Sequence, residues 1–193
     1  MALPNRTHMS EEEYLAFERE SEIKHEYIDG EVYAMAGASE NHNLILVNLI
    51  TSLRPQLRSG NCRLYPSDMR LKVTDSIHTY PDLQIVCGAS ELADEARDTL
   101  LNPTVIFEIL SPSTEGYDRG EKFRNYRQID SLQAYVLVSQ DQPLIEIFLR
   151  SDSNQWTFTE ASGLEAIAQL VPVECELSLA QVYEQISFDE PSE

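Results

Sequence analysis

The chain has 193 residues, 42% of them apolar, with 9 Pro and 7 Gly, so it can bury a sizeable core, and disordered, collagen-like and low-complexity classes are excluded. Fourteen Lys and Arg stand against 33 Asp and Glu, a formal charge of −19 that argues against a generic nucleic-acid coat protein. One domain over residues 1–193 is the expectation at this length, with the acidic segment 151–193 packed on it or extending it.

Arg6 precedes no apolar run, and the most apolar stretch, Leu44 to Val47, is broken at Asn48, so neither a signal peptide nor a membrane span is read. Cys62, Cys87 and Cys175 are odd in number and widely spaced, without a CxxC grouping. They read as reduced and packed, which is consistent with a cytoplasmic protein.

In chain order, Ser10 followed by Glu11, Glu12 and Glu13 reads as an N-cap with acid in the first turn of a helix over 10–20. Two β-like runs, Glu26 to Ile28 and Glu31 to Met35, are separated by Asp29-Gly30, a hairpin signal because a type I′ turn needs two positive φ angles. From Asn41 to Arg58, the spacing of Leu44, Val47, Ile50, Leu53 and Leu57 predicts a helix buried on that face. Strands are expected at 62–65, 69–73, 83–87 and 105–110, with a polar, part-helical loop over 89–102. A helix over 118–129 follows, then strands at 134–138, 144–149 and 156–159 and a last helix at 179–186. This order predicts an α/β or α+β domain with a mixed sheet flanked by helices. The segment after Ser151 carries nine acidic residues and no Lys or Arg; its Leu177, Leu179, Val182, Tyr183 and Ile186 can pack within the chain or against a second copy.

Cations are uneven. Arg54, Arg58, Arg63, Arg70 and Lys72 face only Asp68 in their segment, and Arg119, Lys122, Arg124 and Arg127 face only Glu121. These are two solvated faces or a localised positive groove on an acidic body.

Three passages place ionisable residues on apolar elements. Asp82 opens a strand after Tyr80-Pro81. Glu108 shares a strand face with Ile106 and Leu110, where a lone carboxylate costs several kcal/mol unless it is paired or metal-bound. Asp118, Lys122 and Tyr126 stand at i, i+4 and i+8, one stripe of a helix. The plainer readings are a turn cap, a salt bridge and a surface pair; the sharper one is a metal-assisted hydrolytic site. His42, in the first turn of its helix, either hydrogen-bonds a site carboxylate or phosphate or is a structural histidine. His8, His25 and His78 lack zinc-ligand spacing, and Ser111 and Ser113 lack a GxSxG elbow.

From Met9 to Leu149 the order of Glu26-Tyr-Ile-Asp-Gly-Glu31, His42, Tyr80-Pro-Asp82, Phe107-Glu-Ile-Leu-Ser-Pro-Ser113 and Asp118-Arg-Gly-Glu-Lys122-Phe-Arg-Asn-Tyr126 resembles the Uma-type endonuclease family of the PD-(D/E)XK superfamily. The resemblance implies a restriction-endonuclease-like core that binds Mg²⁺ or Mn²⁺ and hydrolyses DNA phosphodiesters. Asp82, Glu108 and the Ile109 carbonyl would be the metal ligands. The superfamily lysine is expected two residues after the glutamate, where this chain has Leu110. Lys122 on the following helix would be the replacement, supported by Asp118 and Tyr126. Glu31, with Glu40 and Glu26 as competitors, would complete the catalytic set alongside His42. Arg54, Arg58, Arg70, Lys72, Arg124 and Arg127 are the expected DNA-backbone contacts, and a homodimer is expected for duplex cutting. The alternatives are a catalytically silent interaction protein on the nuclease fold and, more remotely, a glycoside hydrolase built on Asp82 and Glu108.

Overall fold

A computed structural model of the protein describes residues 8–188. The first elements are α1 (Glu11–Glu20), β1 (His25–Ile28), β2 (Glu31–Ala34), α2 (Glu40–Gln56), β3 (Cys62–Pro66), β4 (Arg70–Thr74), β5 (Ile77–Thr79), β6 (Leu83–Cys87), β7 (Thr99–Leu100) and β8 (Val105–Ile109). A helical stretch follows, with α3 (Glu115–Tyr117) and α4 (Phe123–Tyr126) joined by a π-helical turn over Asp118–Lys122. The chain continues through β9 (Ala134–Val138), β10 (Leu144–Arg150), β11 (Trp156–Ser162), β12 (Ile167–Leu170), β13 (Cys175–Ser178) and α5 (Leu179–Val182).

The N-terminal signals form as expected. Ser10 Oγ accepts from the Glu13 N–H at 3.3 Å, and Glu13 Oε2 accepts from the Ser10 N–H at 2.8 Å, a reciprocal cap worth about 1 kcal/mol. Asp29 and Gly30 take φ of 50° and 91°, closing the β1–β2 hairpin.

A six-stranded sheet runs in the order β11-β10-β9-β8-β6-β3, with β8 and β9 parallel and the other neighbours antiparallel. A second sheet runs β2-β1-β5-β4-β7. Alternation along β8 splits the interior in two. Phe107 and Ile109 join α2, through Ile45, Leu49 and Leu53, in the larger cluster. Ile106 and Leu110 pack on the other side with Tyr126, Tyr135 and Leu137. The face of α2 is therefore rotated from the expected one: Ile45, Leu49 and Leu53 are fully buried at i, i+4 and i+8, while Val47 is 58% exposed. The helix offers two apolar stripes, and packing against the sheet selects between them.

The C-terminal apolar residues pack within the chain, since Leu177, Leu179, Val182 and Tyr183 belong to the larger cluster and Ile186 packs against it. The last helix is shorter than expected and is followed by Gln185 at φ 62°. Residues 89–102 form a loop of bends and a turn at Asp94–Arg97, with only the short strand β7, rather than a part-helical segment. Arg19 holds Asp94 and Asp98 at 2.6 and 2.9 Å, and Arg70 reaches Asp98 at 3.0 Å, tying that loop to α1 and β4. The reading of three reduced cysteines is corrected. The β3–β6 register sets Cys62 directly opposite Cys87 and the two form a disulfide, leaving Cys175 free and buried. The pairing also removes the thiol argument for a reducing compartment. Among the described residues no helix is long and apolar enough to cross a membrane.

Two measurements check this packing. Leu49→Ala should cost about 2–5 kcal/mol in urea unfolding, and a loss below about 1 kcal/mol would contradict its place in the core. His78, fully buried beside Tyr14 and Tyr27 with Nε2 at 3.0 Å from Glu11 Oε1, is pushed down to about 4, first by burial and, against the pull of Glu11, by Arg70 and Lys72. A depressed histidine favours the fold above the unfolded value of about 6.5, and that contribution is lost as pH falls from there toward about 4. His78→Gln should flatten the stability profile in that window; an unchanged slope would contradict the burial.

Candidate active site

β6 and β8 pair with Leu83 opposite Phe107, which brings Asp82, just ahead of β6, beside the end of β8. Asp82 Oδ2 accepts from the Ile109 N–H at 2.7 Å, and Oδ1 lies 3.1 Å from His42 Nε2. His42 is delivered by the first turn of α2. There Ser39 Oγ accepts from the His42 N–H at 3.1 Å and donates to Gln140 Oε1 at 2.5 Å, while Gln140 Nε2 donates to the Leu110 carbonyl at 2.7 Å. One N-cap therefore ties the start of α2 to the ends of β8 and β9. Ser39 carried a readable N-cap signal ahead of the second helix; Gln140 carried none.

Glu108 points to the opposite side from α2, with its side chain 5% exposed. Its Oε1 takes the Lys122 ammonium at 2.9 Å and accepts from the Tyr126 hydroxyl at 2.8 Å. Because the one Tyr126 proton goes to Glu108, Thr79 Oγ1 at 3.1 Å must donate to that hydroxyl. Lys122 also lies 3.5 Å from Glu26 and 3.5 Å from Asp118. Tyr135 donates to the Asp118 carbonyl at 3.0 Å, fixing the π-helical turn from behind. That turn, with Gly120 inside it, departs from the regular helix expected, yet it keeps Asp118, Lys122 and Tyr126 on one buried stripe.

Burial is the main force on Glu108 and pushes its carboxyl well up; Lys122 opposes this, and Asp82 and Asp118 add to it. Burial works against the Lys122 ammonium, but Glu108, Glu26, Tyr126 and Asp118 outweigh it and hold the proton on nitrogen. Three carboxyl groups, those of Glu108, Glu26 and Asp118, thus lie within 3.5 Å of one ammonium in a dry setting, where each depends on it for charge compensation. Among the described residues, no three His, Cys, Asp or Glu side chains converge as a metal cage. Mg²⁺ needs less than that: one or two carboxylates suffice when water and phosphate complete its octahedron. Asp82, Glu108 and the intervening peptide at Ile109 suit that open type, and Glu26 Oε1 is buried without a hydrogen-bond partner. In donor type and charge, the residues present fit a hard divalent cation.

Other expected residues fall elsewhere. Glu31 is exposed at the turn end of β2, where it accepts from Tyr33 at 2.5 Å, and it makes no hydrogen bond or ion pair with the cluster; Glu26, further along the same hairpin, reaches Lys122 instead. Glu40 is exposed. Arg54 and Arg58 are exposed but stand twelve and more residues along α2 from His42, about 18 Å at the helical rise. Arg70 is 2% exposed and bound to Asp98, Thr99 and Tyr80, and Lys72 is held by Glu11 and Asp75, so both are structural. Arg124 and Arg127 are exposed on the helical stretch that carries Lys122 and Tyr126, Arg124 near Glu121 and Arg127 over the Phe123 ring. The continuous cationic groove expected from two flanking segments is thus reduced to this pair.

Relatives set this geometry in context. The chain matches the Uma2 family, described as "Putative restriction endonuclease", over residues 11–180. Two proteins of Synechocystis sp. (strain PCC 6803), both described as uncharacterized, are similar along most of their length. The protein slr1290 is 33% identical over 93% of this chain and 94% of its own, and sll1609 is 36% identical over 80% and 88%. A crystal structure from Anabaena variabilis, described as a "putative nuclease belonging to DUF820", superposes with a TM-score of 0.76 at 16% identity, covering 93% of this chain and 99% of that one. The likeness shows a restriction-endonuclease-like fold. With the match running through every residue of the cluster just described, the protein belongs to the Uma2 family of restriction-endonuclease-like proteins.

Proposed function

We propose that the protein is a divalent-metal-dependent endonuclease that hydrolyses DNA phosphodiester bonds at the cluster of Asp82, Glu108 and Lys122. The observation that carries the reading is the 2.9 Å pair of Lys122 and Glu108 beside Asp82. Two carboxylates and a lysine are assembled there even though the lysine comes from the following helix and not from β8. Family membership supports nuclease chemistry; the metal, the DNA substrate and the residue roles are this proposal's own.

Asp82, Glu108 and the Ile109 carbonyl would hold Mg²⁺ or Mn²⁺, which when bound supplies Lewis-acid neutralisation of the phosphate charge. The remaining work falls to the chain. Lys122 orients the attacking water and meets the negative charge that develops at phosphorus. Tyr126, fixed by Thr79, keeps Glu108 in one orientation. His42 and the Ile109 N–H clamp both oxygens of Asp82. Arg124 and Arg127 offer backbone contacts on the exposed side of α4. With a net charge of −19, DNA affinity is weak and falls steeply with salt. A homodimer would present one site to each strand of a duplex.

A second reading, a silent interaction protein on the nuclease fold, is favoured by the inward engagement of Glu108 and the pairing of Arg70 and Lys72. Plasmid nicking separates the two. The wild type should nick supercoiled DNA with Mg²⁺ or Mn²⁺ and stop with EDTA, and Asp82→Ala or Lys122→Ala should lower the rate roughly 10²-fold or more. No cleavage with either metal would establish the silent reading, and full activity in Asp82→Ala would remove the proposed site. Tyr126→Phe should slow single-turnover cleavage by roughly 3- to 10-fold, the worth of one hydrogen bond; an unchanged rate would show that its hydroxyl does not position Glu108.

A further inference from the structure

Glu26 reaches the cluster from β1, in a different sheet from Glu108, and its side chain is 12% exposed. Its Oε1 is buried, makes no hydrogen bond, and stands 3.5 Å from the Lys122 ammonium. A buried carboxyl oxygen left without a donor in such a place costs free energy unless another state of the protein satisfies it. The neighbouring ammonium is the group able to do so. Lys122 Nζ is at 2.9 Å from Glu108, and a movement shorter than a C–C bond brings it to the same distance from Glu26. Asp118, also at 3.5 Å, lies on the same helical turn as the lysine. Glu26 is the carboxylate that meets Lys122 from an element outside both β8 and the lysine's own helical turn.

Resting on the metal-dependent reading above, we propose that Glu26 is the second seat of Lys122, and that the ammonium passes from Glu108 to Glu26 when Glu108 becomes a metal ligand. A cation at Glu108 repels the ammonium now beside it, and without another carboxylate this repulsion opposes metal binding directly. Glu26 lets one lysine serve both states, as counter-ion of Glu108 before binding and as a water-orienting group held by Glu26 afterwards. It is a positioning residue acting through Lys122, without contact to the metal.

Mn²⁺ affinity, measured by electron paramagnetic resonance or calorimetry on the intact protein, tests this without reference to cleavage. Glu26→Gln should weaken Mn²⁺ binding roughly 10- to 100-fold, the worth of a charged hydrogen bond. In a Lys122→Met background, the same change should have no effect. Weakening that persists without the lysine would make Glu26 a ligand, and no weakening in the presence of the lysine would make it a bystander; either overturns the proposal. A wild type that binds no Mn²⁺ overturns the metal reading and this inference together. Should Lys122→Met not fold, a crystal structure of wild-type protein with Mn²⁺ decides: Nζ should lie within hydrogen-bond distance of Glu26, and Nζ still on Glu108 would refute the exchange.

Discussion

The buried pair of Glu108 and Lys122 is the constraint on which the site turns. Neither charge is tolerable alone in that position: β8 lies between two apolar clusters, and the helical stretch carrying Lys122 is packed against Tyr135 and Leu137. Pairing them fixes how far the π-helical turn sits from the sheet. That spacing in turn places Tyr126 on Glu108 and Asp118 behind the lysine. Glu26 enters the same arrangement from the second sheet, so the cluster links both sheets through charge rather than through apolar contact alone.

Much of this was legible in the residues. Glu108 stood out because period-2 alternation placed a carboxylate among Ile106 and Leu110, and a position so costly demands a partner. Asp82 and Lys122 followed from an ordered set of short motifs. The capping box at Ser10 and the Asp29-Gly30 hairpin were local signals that local structure satisfies. What could not be read was whatever depends on register or on choice between similar faces. Cys62 and Cys87 are unremarkable at 25 residues apart until the β3–β6 register sets them opposite. The buried face of α2 depended on which of two apolar stripes the sheet accepts. Glu31 and Glu26 are nearly equivalent in sequence, and the hairpin alone decides that Glu26 reaches Lys122. β5 was invisible because its buried residues include His78 and Thr79, polar side chains with partners from α1 and α4.

The charge balance takes on a different meaning once placed. The negative excess is part of the site as well as a property of the surface, since Glu26, Glu108 and Asp118 converge on one ammonium and Asp82 stands at the end of β8 beside them. Most cations near that centre hold the fold: Arg19 and Arg70 fasten the 89–102 loop, Lys72 fastens α1, and Arg119 pairs with Glu115 and Glu146. Under the proposed metal-dependent reading, such an arrangement favours a small divalent cation over a polyanion, and phosphate recognition would follow metal binding.

Titration of the wild-type protein with Mn²⁺ by calorimetry, repeated on Asp82→Asn, bears on this most directly. One Mn²⁺ bound per chain in wild type and none in the variant is the expected result. Binding that is absent from wild type, or that survives unchanged in Asp82→Asn, would contradict it.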